Sequence, residues 1–164
     1  AVPDARFDVA GSNPPPDLVR AEARDGVRFL GRVPDAREFL ASGAAMVVPL
    51  LSGGGVRVKI LEAMGLGVAV VSTRLGAAGI GARDGDEILL ADTPEDLAGA
   101  CVELLSSPEK VRATGLAGQR RVRASFDAET IARELLAFLE RLAPASRARK
   151  AEALPRAHGA GLSF

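Results

Sequence analysis

The run Ser52-Gly53-Gly54-Gly55-Val56-Arg57-Val58-Lys59-Ile60-Leu61-Glu62 sets three glycines, two cations and one carboxylate close together in the chain. Glycines that lead from an apolar strand into a helix leave backbone N–H groups aimed at a guest, and the helix dipole adds partial positive charge at that end. Arg57 and Lys59 add full positive charge beside it. The guest that suits such a place is an anion, and a phosphate above all. Glu62, one turn further in, suits a hydroxyl-bearing group attached to the phosphate, such as a ribose. The alternative is a tight strand–helix turn in which Lys59 and Glu62 form only an i,i+3 ion pair, which contributes about 0.2–0.5 kcal/mol. The spacing is not a Walker A loop, which needs Gly-Lys-Ser/Thr, and it is not a GxGxxG fingerprint.

Two further loops are candidates for the same edge. Ser72-Thr73-Arg74-Leu75-Gly76-Ala77-Ala78-Gly79 offers hydroxyls, an arginine and a permissive backbone, with an ordinary surface loop as the alternative. Gly11-Ser12-Asn13 follows the first apolar run, and its plain reading is a turn ahead of Pro14-Pro15-Pro16. The single histidine, His158, lies beside Gly159 in a segment without periodicity, which argues against catalysis. The single cysteine, Cys101, falls on an apolar helix face and reads as a small core residue. No Cys/His cluster or Ser/His/Asp set can be assembled, so no metal ligand and no catalytic residue is named.

Short apolar runs alternating with helical patterns must position these groups. The expected strands are Phe7–Ala10, Val27–Leu30, Ala45–Pro49, Val68–Ser72 and Glu87–Leu90. The expected helices are Pro16–Arg24, Pro34–Ser42 and Gly55–Leu66, with Val56, Ile60, Ala63 and Met64 on one face of the last. Thr93-Pro94-Glu95-Asp96 and Ser107-Pro108-Glu109 are helix starts: an N-cap hydroxyl, proline at the first helical position and acid in the first turn. Asp127 is the expected cap of the last helix, whose Ile131, Leu135, Phe138, Leu139 and Leu142 repeat at helical spacing. Strand–helix alternation implies an α/β fold: a Rossmann-like parallel sheet of about five strands with helices on both faces, followed by C-terminal helices. Ligands on such sheets sit at the carboxyl ends of the strands, where all three candidate loops fall. The folded domain is expected over residues 1–143, and 144–164 reads as a disordered tail.

With 164 residues, 48% of them apolar, the chain has enough material for one domain with a real core. Its 21 basic and 21 acidic residues cancel, which argues against a nucleic-acid partner. One cysteine excludes an intrachain disulfide and fits a reducing compartment such as the cytoplasm. No apolar run approaches the roughly 20 residues of a membrane span. Arg147, Arg149, Lys150 and Arg156 read as a solvated tail, with peripheral contact to an anionic membrane face as the alternative.

The segments Val-Arg-Phe-Leu-Gly-Arg-Val-Pro-Asp (27–35), Ala-Ala-Met-Val-Val-Pro-Leu (44–50), Gly-Gly-Gly-Val-Arg-Val-Lys-Ile-Leu-Glu-Ala-Met-Gly (53–65) and Gly-Val-Ala-Val-Val-Ser-Thr (67–73) together resemble the C-terminal domain of a group 1, or family 4, glycosyltransferase of the GT-B type. The resemblance extends over residues 1–142. It implies a nucleotide-diphospho-sugar donor, transfer with retention of configuration, and neither cofactor nor metal. Glu62 matches the acid that holds ribose hydroxyls. Backbone N–H groups around Gly55, Val56 and Arg57 match the diphosphate cradle, Arg57 and Lys59 match basic positions beside it, and Gly54 is counted with the same donor site. Gly11, Ser72, Thr73 and Arg74 are secondary loop contacts. Gly54 stands where the family commonly carries a second acid, eight residues before Glu62. The resemblance also implies an absent first βα unit and an absent N-terminal acceptor domain, so the chain is expected to be inactive alone. Uncovered apolar surface on the last helix would then favour self-association. The expected acceptor is a bacterial polysaccharide or glycolipid, reached from the cytoplasm at the inner face of the membrane. The rival reading is a non-catalytic α/β module for nucleotide sensing or protein interaction. A nucleotide-sugar epimerase would need further acid and histidine residues.

Overall fold

Buried β-branched runs and well-capped helices set the architecture. The computed structural model describes residues 2–14, 16 and 26–142. The helix expected over Pro16–Arg24 and the tail expected over 144–164 lie outside the described residues. The chain divides into two units, one up to Phe126 and one from Asp127 onward.

The first unit carries strands β1 (Phe7–Ala10), β2 (Val27–Gly31), β3 (Ala45–Val48), β4 (Ala69–Ser72) and β5 (Leu89–Leu90). Its helices are α1 (Ala36–Ser42), α2 (Val58–Gly65), α3 (Pro94–Leu105) and α4 (Pro108–Ser125). Every strand pairing is parallel, as βα alternation requires. The expected single sheet of about five strands is not what forms among the described residues. β1 pairs with β2 in one sheet, and β3, β4 and β5 pair in that order in a second. The division falls between β1 and β3. These strands do not bond, and Phe7 of β1 and Val47 of β3 line a common cavity of about 330 Å³ together with Pro49, Leu51, Leu97 and Cys101.

β4 is buried along its whole length and serves both layers of the core. Val70 joins Ile60, Ala63, Met64, Ile80 and Ile88 on the α2 side. Ala69 and Val71 join Leu89, Leu97 and Leu104 on the α3 side. The period-two alternation of a strand thus divides one apolar run between two helix layers. By contrast, no residue of β3 is fully buried although all four are apolar. In the two-stranded sheet the cross-strand partners Asp8 and Arg28 form a two-point ion pair, Arg28 Nε and Nη2 donating to the Asp8 carboxylate at 2.7 and 2.6 Å. The Arg28 guanidinium holds the Asp8 carboxyl below its ordinary value.

α4 comes in close because small residues face the junction. Gly115 packs on the Gly67 carbonyl, and Gly118 on the Glu87 carbonyl and the Met64 side chain. Gln119 Nε2 donates to the Gly65 carbonyl at 3.0 Å, satisfying a backbone acceptor at the C-terminal end of α2. The two expected helix starts form as read: Thr93 accepts from Asp96 N at 3.1 Å, and Ser107 from Lys110 N at 3.2 Å. α2 begins at Val58, three residues later than its apolar pattern suggests. Gly55 has φ +84° and Arg57 has ψ 91°, so neither takes a helical conformation. Val56 therefore lies outside the helix and is exposed rather than on its inner face.

The second unit, as described, is α5 (Ala128–Leu142). Asp127 caps it as expected, its carboxylate accepting from Glu129 N at 3.1 Å. Among the described residues no helix is long and apolar enough to cross a membrane.

The packing of α4 makes its glycines unequal to others in the fold. A Cβ on Gly115 would collide with the Gly67 carbonyl, whereas one on Gly99, within α3, meets nothing within 4 Å. Gly115→Ala should therefore cost about 3 kcal/mol by overpacking, and Gly99→Ala should stabilise by about 0.5–1 kcal/mol through helix propensity. Urea denaturation of the two variants checks both signs. Burial pushes the Cys101 thiol up from its ordinary value. Its labelling by a disulfide reagent should be slower than that of free cysteine at pH 8 and should rise only at higher pH, because the thiolate is the reactive form.

Candidate functional site

β3 and β4 run parallel and in register, so their carboxyl ends deliver two loops to one edge. Buried hydroxyls lock those loops together. Thr73 Oγ1 donates to the Leu50 carbonyl at 2.7 Å and accepts from Gly76 N at 2.9 Å. Ser72 Oγ donates to the Thr73 carbonyl at 3.0 Å. Ser72 and Thr73 are 0% and 2% exposed. Their side chains are thus turned inward as fasteners, and what they leave at the edge is backbone. Arg74 is held from its sides: its N–H donates to Asp92 at 2.8 Å, and its guanidinium pairs with Asp92 at 3.2 Å and Asp84 at 3.7 Å. No motif in the sequence singles out Asp84 or Asp92. The only trace of Asp92 there is its place just past an apolar strand.

The Thr73 fastener pins the start of the glycine loop. Gly53 and Gly55 adopt φ of +114° and +84°, a region that side chains disfavour. Gly54 and Gly55 have open space where a Cβ would stand. Arg57 is the N-cap of α2 but makes no side-chain cap bond. Its Nη1 instead donates back to the Gly54 carbonyl at 2.7 Å. The first backbone bonds of the helix run from Ile60 N and Leu61 N to the Arg57 carbonyl, at 2.9 and 3.4 Å. Among the described residues, the five consecutive N–H groups from Gly55 to Lys59 make no hydrogen bond. An uncapped helix start with this row of donors carries the partial positive charge of the helix dipole.

Lys59 Nζ and Glu62 Oε2 form an i,i+3 pair at 2.7 Å, with side chains 60% and 37% exposed. The helix places both beside the donor row, and solvent reaches both. Gly54, Gly55, Val56, Arg57, Lys59 and Glu62 are therefore brought together on one loop and the first turns of one helix. Val56 also touches the second loop, since a Cβ on Gly79 would lie 3.1 Å from its Cγ2. Gly11 is at the end of β1, where its N–H bonds the Gly31 carbonyl at 2.8 Å, and among the described residues it shares no hydrogen bond with the glycine loop. Among the described residues no group of three His, Cys, Asp or Glu side chains is placed to hold a metal ion.

Solved structures share this fold. HepE of Anabaena, determined in complex with UDP, superposes with a TM-score of 0.74 at 20% identity, over 83% of this chain and 41% of its own. A mutant of TarM from S. aureus, determined with fondaparinux, alpha-GlcNAc-glycerol and UDP, superposes with a TM-score of 0.69 at 16% identity, over 80% of this chain and 28% of its own. The C-terminal domain of the group 1 glycosyl transferase LpcC from Francisella tularensis gives 0.58 at 20% identity, over 68% of this chain and 60% of its own. The chain thus spans less than two thirds of the length of each of these structures. A search of curated protein sequences gave no match. The family model described as "Glycosyl transferases group 1" matches residues 1–107. On that match, and with the parallel α/β architecture of its GT-B neighbours, the chain belongs to the group 1 glycosyltransferases.

Proposed function

We propose that this chain is the donor-binding domain of a retaining glycosyltransferase that moves a hexosyl group from a nucleotide-diphospho-sugar to an acceptor. The observation that carries this reading is the row of unpartnered N–H groups at Gly55–Lys59, flanked by Arg57 and Lys59. In this role the N–H row cradles the diphosphate, and Arg57 and Lys59 neutralise it. Glu62 accepts the ribose hydroxyls once Lys59 leaves it. An exposed ion pair contributes about 0.2–1 kcal/mol and an anion at an exposed helix N-terminus gains about 0.3–1 kcal/mol, so the charge-assisted contacts of the diphosphate with Arg57 and Lys59 are what favour the exchange. HepE, which shares the fold, was solved in complex with UDP, and this supports a nucleotide ligand. In this reading Gly11, Ser72, Thr73 and Arg74 are secondary: the N–H groups of Gly11, Thr73 and Arg74 are already bonded, so these residues shape the edge rather than donate to the phosphates. The reading invokes no cofactor and no metal. The acceptor is a polysaccharide or glycolipid, met at the inner face of a bacterial membrane.

The cavity between β1 and β3 supports the idea of a further βα unit. One more parallel strand there would join the two sheets in the order β2-β1-x-β3-β4-β5, with the strand order reversing at x as in doubly wound sheets. The incompletely buried β3 and the exposed Phe7 and Leu51 are the surfaces it would cover. The acceptor domain and the reacting groups lie outside this chain in the same reading, so no catalytic residue is assigned. The rival is a non-catalytic nucleotide-sensing or protein-interaction module.

Calorimetry with UDP and GDP separates the donor domain from a protein-interaction module. Donor binding should appear for one of these nucleotides, fall at least tenfold in Glu62→Ala and weaken several-fold in Lys59→Ala. A folded sample that binds neither nucleotide favours the interaction module. The chain by itself should transfer no sugar from UDP- or GDP-hexoses to a lipid acceptor, and measurable turnover would refute the assignment of the reacting groups to another domain.

A further inference from the structure

The Arg57 side chain does something that an anion cradle alone does not require. Its guanidinium folds back over the glycine loop instead of standing beyond the N–H row. Nη1 bonds the Gly54 carbonyl at 2.7 Å. Nη2 lies 2.9 Å from where a Cβ on Gly53 would be, so the guanidinium occupies space that only glycine leaves free. Nε is buried and has no hydrogen-bond partner. A charged donor group with one N–H dry and unpaired sits at a free-energy disadvantage. Any ligand that offers several anionic oxygens can satisfy all its N–H groups and remove that disadvantage.

We propose that Arg57 is a latch on the glycine loop. In the free protein it closes on the Gly54 carbonyl, and a diphosphate draws it off onto the phosphate oxygens. Release frees the Gly53–Gly54–Gly55 backbone, whose flanking glycines already hold positive φ, to turn towards the guest. The inference rests on the donor-site reading above and adds a conformational step to it. Since the unlatched state is the minor one in the free protein, the apparent affinity is lower than the intrinsic affinity by the unlatched fraction. Gly53 and Gly55 are then glycines for the sake of the closed state, where both hold positive φ, and Gly54 for the sake of the open one.

Inorganic pyrophosphate tests this without reference to base or sugar. Nitrogen–proton correlation spectra that include the arginine Nε–H region follow both parts of the site. The Arg57 Nε–H signal is assigned by its loss in Arg57→Lys, which retains the charge. In the free protein that signal should be protected from solvent exchange. On titration it should shift with the same midpoint as the Gly53–Lys59 amides, as the Nε–H passes from a dry, unpaired site to phosphate oxygens. Amides of Gly55–Lys59 that titrate while the Nε–H signal stays unmoved would overturn the latch and leave the donor site standing. No response from either group at the highest soluble pyrophosphate concentration would overturn both.

Discussion

The Thr73 hydroxyl is the contact on which the geometry of the site depends. It is buried and makes two bonds, one to the carbonyl of Leu50 after β3 and one from the N–H of Gly76 after β4. Through it the rigidity of β4, the strand buried on both faces, reaches a loop that is itself exposed and rich in glycine. Loss of either partner would leave a buried polar group unsatisfied, a penalty of about 1–3 kcal/mol. The loop that would hold a phosphate is thus flexible in composition but anchored at its root. This is how a protein keeps a preorganised row of backbone donors without burying them.

Electrostatics at the edge follow one pattern. Each of three cations there has a nearby partner: Lys59 has Glu62, Arg74 has Asp84 and Asp92, and Arg57 has the Gly54 carbonyl. Exposed pairs of this kind are weak in water, so they hold the side chains near a guest without committing them to one another. A multiply charged ligand competes with them easily, and a singly charged one gains little by displacing them.

Much of the fold is legible in the sequence, for local reasons. Thr93-Pro94 and Ser107-Pro108 name helix starts because hydroxyl caps and proline act within one turn. The strands at Phe7, Val27, Ala45 and Ala69 are legible because β-branched runs between glycines have few other uses. The start of α2 is not, because an apolar spacing does not report φ, and Gly55 and Arg57 break the helix that the spacing of Val56 implies. The division of the sheet is hidden because pairing between β1 and β3 depends on what stands between them. The inward turn of Ser72 and Thr73 is hidden too, since a hydroxyl after a strand reads alike whether it faces a ligand or a carbonyl. The carboxylates that hold Arg74 come from separate segments further along the chain, at a distance no local pattern spans.

The Asp8–Arg28 pair shows where this fold yields first. β1 and β2 contain no fully buried residue, so their sheet lacks the apolar burial that makes β4 slow to open. Cooperative units of low local stability exchange their amide hydrogens ahead of the rest. The ion pair makes the stability of that unit depend on pH, though weakly. Asp8 is ionised at a lower pH in the folded sheet than in the unfolded chain, so the stabilisation is complete above the ordinary carboxyl value and disappears as pH falls through the depressed one. The pair is exposed and contributes little, so acid only slightly weakens a sheet that already has less buried apolar surface than the β4 core.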